Sequence, residues 1–99
     1  MSNIDALILQ HSEEVDQIVN RYISKFQNSE GDKTKETLAA FVVENFKDLS
    51  AEIANSAMNP LVHADAKVTE ENLNAVRGIN MQGGAKWQQE IIRLFAKMD

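Results

Sequence analysis

The stretch Asp32–Asn59, DKTKETLAAFVVENFKDLSAEIANSAMN, decides how this chain is read. Within it Leu38-Ala39-Ala40-Phe41-Val42-Val43 is an unbroken apolar run, followed by Phe46, Leu49, Ile53, Ala54, Ala57 and Met58. Successive helix residues turn by about 100°, so such a run faces every direction around the axis. The spacing predicts a helix over 33–58 with neighbours on several sides, the axis on which the other segments pack. Asp32 or Ser29 can cap it, and Ser50 marks a point where it can bend. Asn59-Pro60 should end it, because the residue before proline is pushed out of the helical region.

Upstream, Ile4, Ile8, Val15, Ile18 and Tyr22 recur at three- and four-residue steps, with Leu7, Val19, Ile23 and Phe26 widening the stripe. This predicts a helix over 3–27 with a polar outer face of Gln10, Glu13, Glu14, Gln17, Arg21 and Lys25. Asn28-Ser29-Glu30-Gly31-Asp32 is a loop in which Gly31 is free to take positive φ. Downstream, Val68-Thr69-Glu70-Glu71-Asn72-Leu73 places a capping Thr before two acids, with Val68 and Leu73 at staple spacing. A short helix over 70–79 should follow. Met81-Gln82-Gly83-Gly84 reads as a break, and Trp87, Ile91, Leu94 and Met98 mark a last helix over 85–97. The expected fold is all-α, a compact antiparallel bundle of about four helices forming a single domain over residues 1–99.

Composition narrows the function. The 99 residues include no cysteine, which removes disulfides and thiolate chemistry. The net charge of −5 argues against a general phosphate-binding surface, which needs clustered Lys and Arg. The start, Met1-Ser2-Asn3-Ile4-Asp5, lacks the basic character of a signal peptide, and no apolar run approaches the roughly 18 residues of a membrane span. A cytoplasmic protein without membrane attachment is expected.

Candidate chemistry is sparse. His11 falls on the buried seam of the first helix, three residues from Glu14. A metal site needs three or four converging ligands, and the nearest other histidine is His63, so no metal ligands and no cofactor are assigned. His63-Ala64-Asp65 could orient an imidazole, but no nucleophile or oxyanion signature accompanies it. A metal- or proton-handling enzyme around His11 and His63 is the third-ranked reading. The second is a DNA-binding regulator, with residues 70–97 forming a helix-turn-helix about Gly83-Gly84. Lys86, Gln88, Gln89 and Arg93 would then contact DNA. Trp87 is followed by Gln88-Gln89, so no Trp-X-Gly pattern is present, and no family motif can be laid on the chain.

The first-ranked reading is a non-enzymatic regulator, inhibitor or assembly partner, of a kind found in bacteria and phage, working by protein–protein contact. Its basis is a surplus of apolar surface that a ten-residue third helix cannot cover. Ile4, Leu7, Phe41, Val42, Met58 and Trp87 are the candidate interface, and homodimerisation is the simplest way to bury it. Glu13, Glu14, Asp16 and Glu30 would steer the protein towards a basic partner surface. Nucleic acid is the less favoured partner.

Overall fold

The computed structural model describes residues 3–63 and 68–98 and contains three helices, α1 (Asn3–Gln27), α2 (Lys35–Val62) and α3 (Glu70–Ala96). Their directions follow from the side chains that meet. His11–Asn80, Asp16–Lys86 and Tyr22–Trp87 ascend together, so α1 and α3 are parallel. His11–Ser56, Arg21–Glu52 and Lys25–Asn45 run in opposite senses, so α2 is antiparallel to both. The result is an up-down-up bundle with extents of 50 × 20 × 19 Å.

Local chemistry fixes the joints. After α1, Ser29 Oγ donates to the Phe26 carbonyl at 2.6 Å, and Gly31 takes φ 103°. Thr34 caps α2, later than the expected Asp32 or Ser29: its Oγ1 accepts from Thr37 N at 3.2 Å, and Thr37 Oγ1 accepts from Thr34 N at 2.9 Å. Thr69 caps α3 as the sequence implies, accepting from Asn72 N at 3.2 Å. No helix among the described residues is long and apolar enough to cross a membrane.

Three expectations are corrected. α2 does not end at Asn59-Pro60. Pro60 and Ala57 are buried, and the His63 N–H closes the last turn on the Asn59 carbonyl at 3.0 Å, so packing holds a turn that local preference disfavours. Residues 70–79 and 85–97 are one helix, because Met81-Gln82-Gly83-Gly84 is helical throughout. Gly83 is buried where a Cβ would stand 2.4 Å from Val15 Cγ1 and 3.6 Å from Ile53 Cδ1, so here glycine permits close helix packing and makes no turn. The bundle therefore has three long helices in place of four.

The axis is also a different helix. α1 packs on both α2 and α3 more extensively than these pack on each other. Val15, Ile18, Val19, Tyr22, Ile23 and Phe26 of α1 form the centre of the core, joined by Leu38, Leu49 and Ile53 of α2 and by Trp87 and Ile91 of α3. Tyr22 meets Trp87 edge-on at 6.5 Å, and Phe26 meets Phe41 at 5.3 Å. Of the apolar run that suggested α2 as the axis, Leu38 is buried, Phe41 and Val42 are half-buried, and Ala39, Ala40 and Val43 are exposed.

Two stability predictions follow from this packing. Gly83→Ala should lower unfolding free energy by about 1–3 kcal/mol, since Val15 must give way. Gly78→Ala, where a Cβ meets nothing within 4 Å, should raise it by about 0.5–1 kcal/mol. Urea denaturation of both variants checks the pair. Tyr22 titrates above its usual 10.0, chiefly because burial penalises the phenolate, then through its hydrogen bond to Glu52 and the charges of Glu52 and Asp48; Arg21 opposes them. The neutral phenol is favoured more in the folded state than in the unfolded one. Its stabilisation is therefore complete below the unfolded pKa of about 10 and lost as pH rises through the folded pKa. Tyr22→Phe should remove that alkaline loss when stability is measured on both sides of pH 10.

Candidate functional site: an apolar cleft between two helices

Because α1 seats on one side of the α2–α3 pair, the opposite side is left without a covering helix. On α2, Val43, Phe46, Ser50, Ala54 and Met58 recur at three- and four-residue steps and form one outward stripe. On α3, Met81, Gly84, Gln88 and Ile92 do the same, while Phe95, one turn on, packs against the core. Between the stripes lies a cleft of 640 Å³, floored by Leu49, Ile53, Trp87 and Ile91, with Val42, Phe46, Ala54 and Ile92 among its walls. The rim is exposed to an unusual degree for its chemistry: Val43 is 78% accessible, Met81 76%, Ile92 67% and Phe46 57%. No residue lining the cleft carries a charge. Contiguous apolar surface of this kind marks an interaction site more often than a bare surface.

At one end of the cleft, Asn80 joins a polar knot through all three helices. His11, 1% exposed, has Nδ1 2.9 Å from Ser56 Oγ and Nε2 2.8 Å from Asn80 Oδ1. Ser56 Oγ donates to Glu14 Oε2 at 2.6 Å, and Gln10 Nε2 donates to Glu14 Oε1 at 3.0 Å. With the Ser56 proton committed to Glu14, His11 Nδ1–H is the donor to Ser56. The Asn80 amide completes the ring at Nε2 as donor or acceptor by turning over. The order Ser56, His11, Asn80 is that of nucleophile, base and orienting group. Yet the hydroxyl points to a carboxylate, and its neighbouring backbone N–H groups belong to the middle of a helix. The arrangement ties the three helices together. No buried side-chain polar atom among the described residues lacks a partner.

The residues singled out from sequence are dispersed by the fold. Of the candidate interface, Val42 and Trp87 line the cleft, Phe41 is half-buried against Phe26, and Met58 continues the α2 stripe. Ile4 is 2% exposed and Leu7 half-buried, so Ile4 is covered by its own chain. The argument from a short third helix falls, since α3 has 27 residues; the open apolar surface comes instead from the placement of α1. Glu13 and Glu30 are exposed, Glu14 is engaged by Ser56 and Gln10, and Asp16 pairs with Lys86 at 3.4 Å.

The helix-turn-helix geometry is not formed, because α3 is continuous through Gly83-Gly84. Lys86 is held by Asp16 and Arg93 by Glu90 at 3.0 Å, Gln88 faces the cleft, and Gln89 is exposed. His63 is the exposed C-cap of α2, and the pairing expected with Asp65 lies outside the described residues. Among the described residues no three His, Asp or Glu side chains converge as metal ligands would.

Sequence reasoning misses Phe46, Ala54, Gly84 and Ile92 as site residues. Joining the stripe Met81, Gln88, Ile92 across Gly84 would find half of them, but a break at Gly83-Gly84 separates Met81 from the rest. No family model matches the chain, and no curated protein and no solved structure matches it either.

Removing Ser56 tests the polar knot. Ser56→Ala strands His11 Nδ1–H and one oxygen of Glu14, and should cost about 1–3 kcal/mol in chemical denaturation. His11→Leu combined with Ser56→Ala should cost clearly less than the two single losses added together, because both act on one network.

Proposed function

We propose that this chain acts by protein–protein contact, as a small helical regulator, inhibitor or assembly partner, and that the α2/α3 cleft is its docking surface. The observation that carries this reading is the uncharged apolar cleft, with Phe46 and Ile92 standing exposed above a floor of Leu49, Ile53, Trp87 and Ile91. A cleft between two helices receives an apolar helical face, by the geometry through which amphipathic helices lie in hydrophobic grooves. Affinity comes from burying Phe46 and Ile92 and from filling the space over Trp87, the kind of aromatic floor at which binding energy concentrates. In this reading no catalytic group is required.

The test compares the tagged wild-type chain with the double variant Phe46→Glu/Ile92→Glu as affinity baits in extract of the source cells. Circular dichroism first establishes that both are equally helical. A protein retained stoichiometrically by the wild type should bind the variant at least about tenfold more weakly once purified. Equal binding of that protein to both baits would remove the cleft from the contact.

A further inference from the structure

We infer that the α2/α3 cleft is covered by a second copy of this chain, related to the first by a two-fold axis that crosses the helices. The inference rests on reading the cleft as a docking surface and supplies its occupant. Charge gives the first argument. The chain carries −5 overall, so two copies repel across most of their surfaces. The cleft is lined without any charged residue, the exposed Lys47 stands beside the α2 stripe four residues after Val43, and Asp5, Glu13, Glu14 and Asp16 sit on α1, behind the cleft. Self-contact through this face buries no charged residue of the cleft lining.

The order of side-chain sizes gives the second. His11 reaches both Ser56 and Asn80, which places those two at one level. Antiparallel register then sets Met58 near Met81, Ala54 near Gly84, Ser50 near Gln88 and Phe46 near Ile92. The face carries Phe46 and Ile92 at one end and Met58 and Met81 at the other, with Gln88 the one long side chain among Ser50, Ala54 and Gly84 between them. A two-fold axis between the Ser50 and Ala54 levels inverts this order and sets the apolar ends of the two copies against each other. Phe46 then lies over Met58 of the partner subunit, a contact that an adaptable thioether makes well against an aromatic ring. Gln88 lies over Gly84 of the partner subunit, where a Cβ added to the single chain meets nothing within 4 Å. A long side chain thus meets bare backbone.

Extent gives the third. The sixteen helical steps from Val42 to Met58 span about 24 Å. Across the 20 Å width of the bundle, that length projects to roughly 500 Å². That flat projection is already more than half of the approximately 800 Å² that each partner buries in a standard interface. A lone helix in the cleft would cover the floor and leave Val43 and Met81 in water at the rim. A second α2–α3 layer covers floor and rim together.

Sedimentation of the full chain at micromolar concentrations should give twice the chain mass of 11.1 kDa. Phe46→Glu/Ile92→Glu should give that mass once, with unchanged helical circular dichroism. The absence of cysteine allows a direct test of orientation. Phe46→Cys mixed with Met58→Cys should form a crosslinked pair under mild oxidation, whereas Phe46→Cys mixed with Ile92→Cys should not. A wild type that remains monomeric overturns the second copy as occupant but leaves the docking surface standing, to be judged by capture of another protein. A dimer unaffected by the double variant overturns both. Crosslinking of Phe46→Cys to Ile92→Cys in place of Met58→Cys overturns the crossing axis.

Discussion

The closeness of α3 to α1 at Gly83 governs the rest of the molecule. Val15 Cγ1 occupies the space a Cβ would need, so the two helices meet there almost backbone to side chain. One turn back along both helices, Asn80 comes within hydrogen-bond reach of His11. One turn forward on α3, Trp87 settles edge-on against Tyr22. With α3 drawn onto α1, and α2 held to α1 by Ser56, by Arg21–Glu52 at 2.6 Å and by Lys25–Asn45 at 3.1 Å, the α2–α3 contact is left as the weakest of the three. The cleft is the geometric remainder of two good contacts made by α1.

That remainder is chemically uneven. On the α1 side, buried polar groups are fully partnered, and His11, Ser56, Asn80 and Glu14 fix the relative heights of the helices as a peg fixes layers. Fully satisfied polar networks specify one register, because any slip strands their members. On the open side, Val43, Phe46, Met58, Met81 and Ile92 lie in water, and no residue lining the cleft between them is charged. The bundle has a closed, specified side and an open, adhesive one.

Much of the fold is legible in the sequence, and the departures share one cause. α1 spans the predicted residues, the Thr69 cap stands where its motif places it, and Gly31 takes the positive φ that its loop suggests. At Pro60 and at Gly83-Gly84 the local preference is real but does not decide the backbone. In both places burial against another helix outweighs a backbone cost of a few kcal/mol or less. The choice of axis meets the same limit. The run Leu38–Val43 is apolar all round, but a pattern along one segment does not say how many neighbours the fold supplies. His11 is readable as a seam residue; Ser56 and Asn80, 45 and 69 residues away, are not readable as its partners.

The glycines of α3 bear on how much each helix relies on its neighbours. Gly78, Gly83 and Gly84 fall in the middle of a 27-residue helix, and together they weaken its intrinsic helicity by about 3 kcal/mol relative to alanine. α1 and α2 have no interior glycine, and their joint is stiffened by the Thr34–Thr37 box and the Ser29 hydroxyl. The α1–α2 hairpin is thus the more local contact and the less weakened by glycine, while α3 depends more on tertiary packing for its helicity. The segment that carries half of the cleft is consequently the one whose helix leans most on packing against its neighbours.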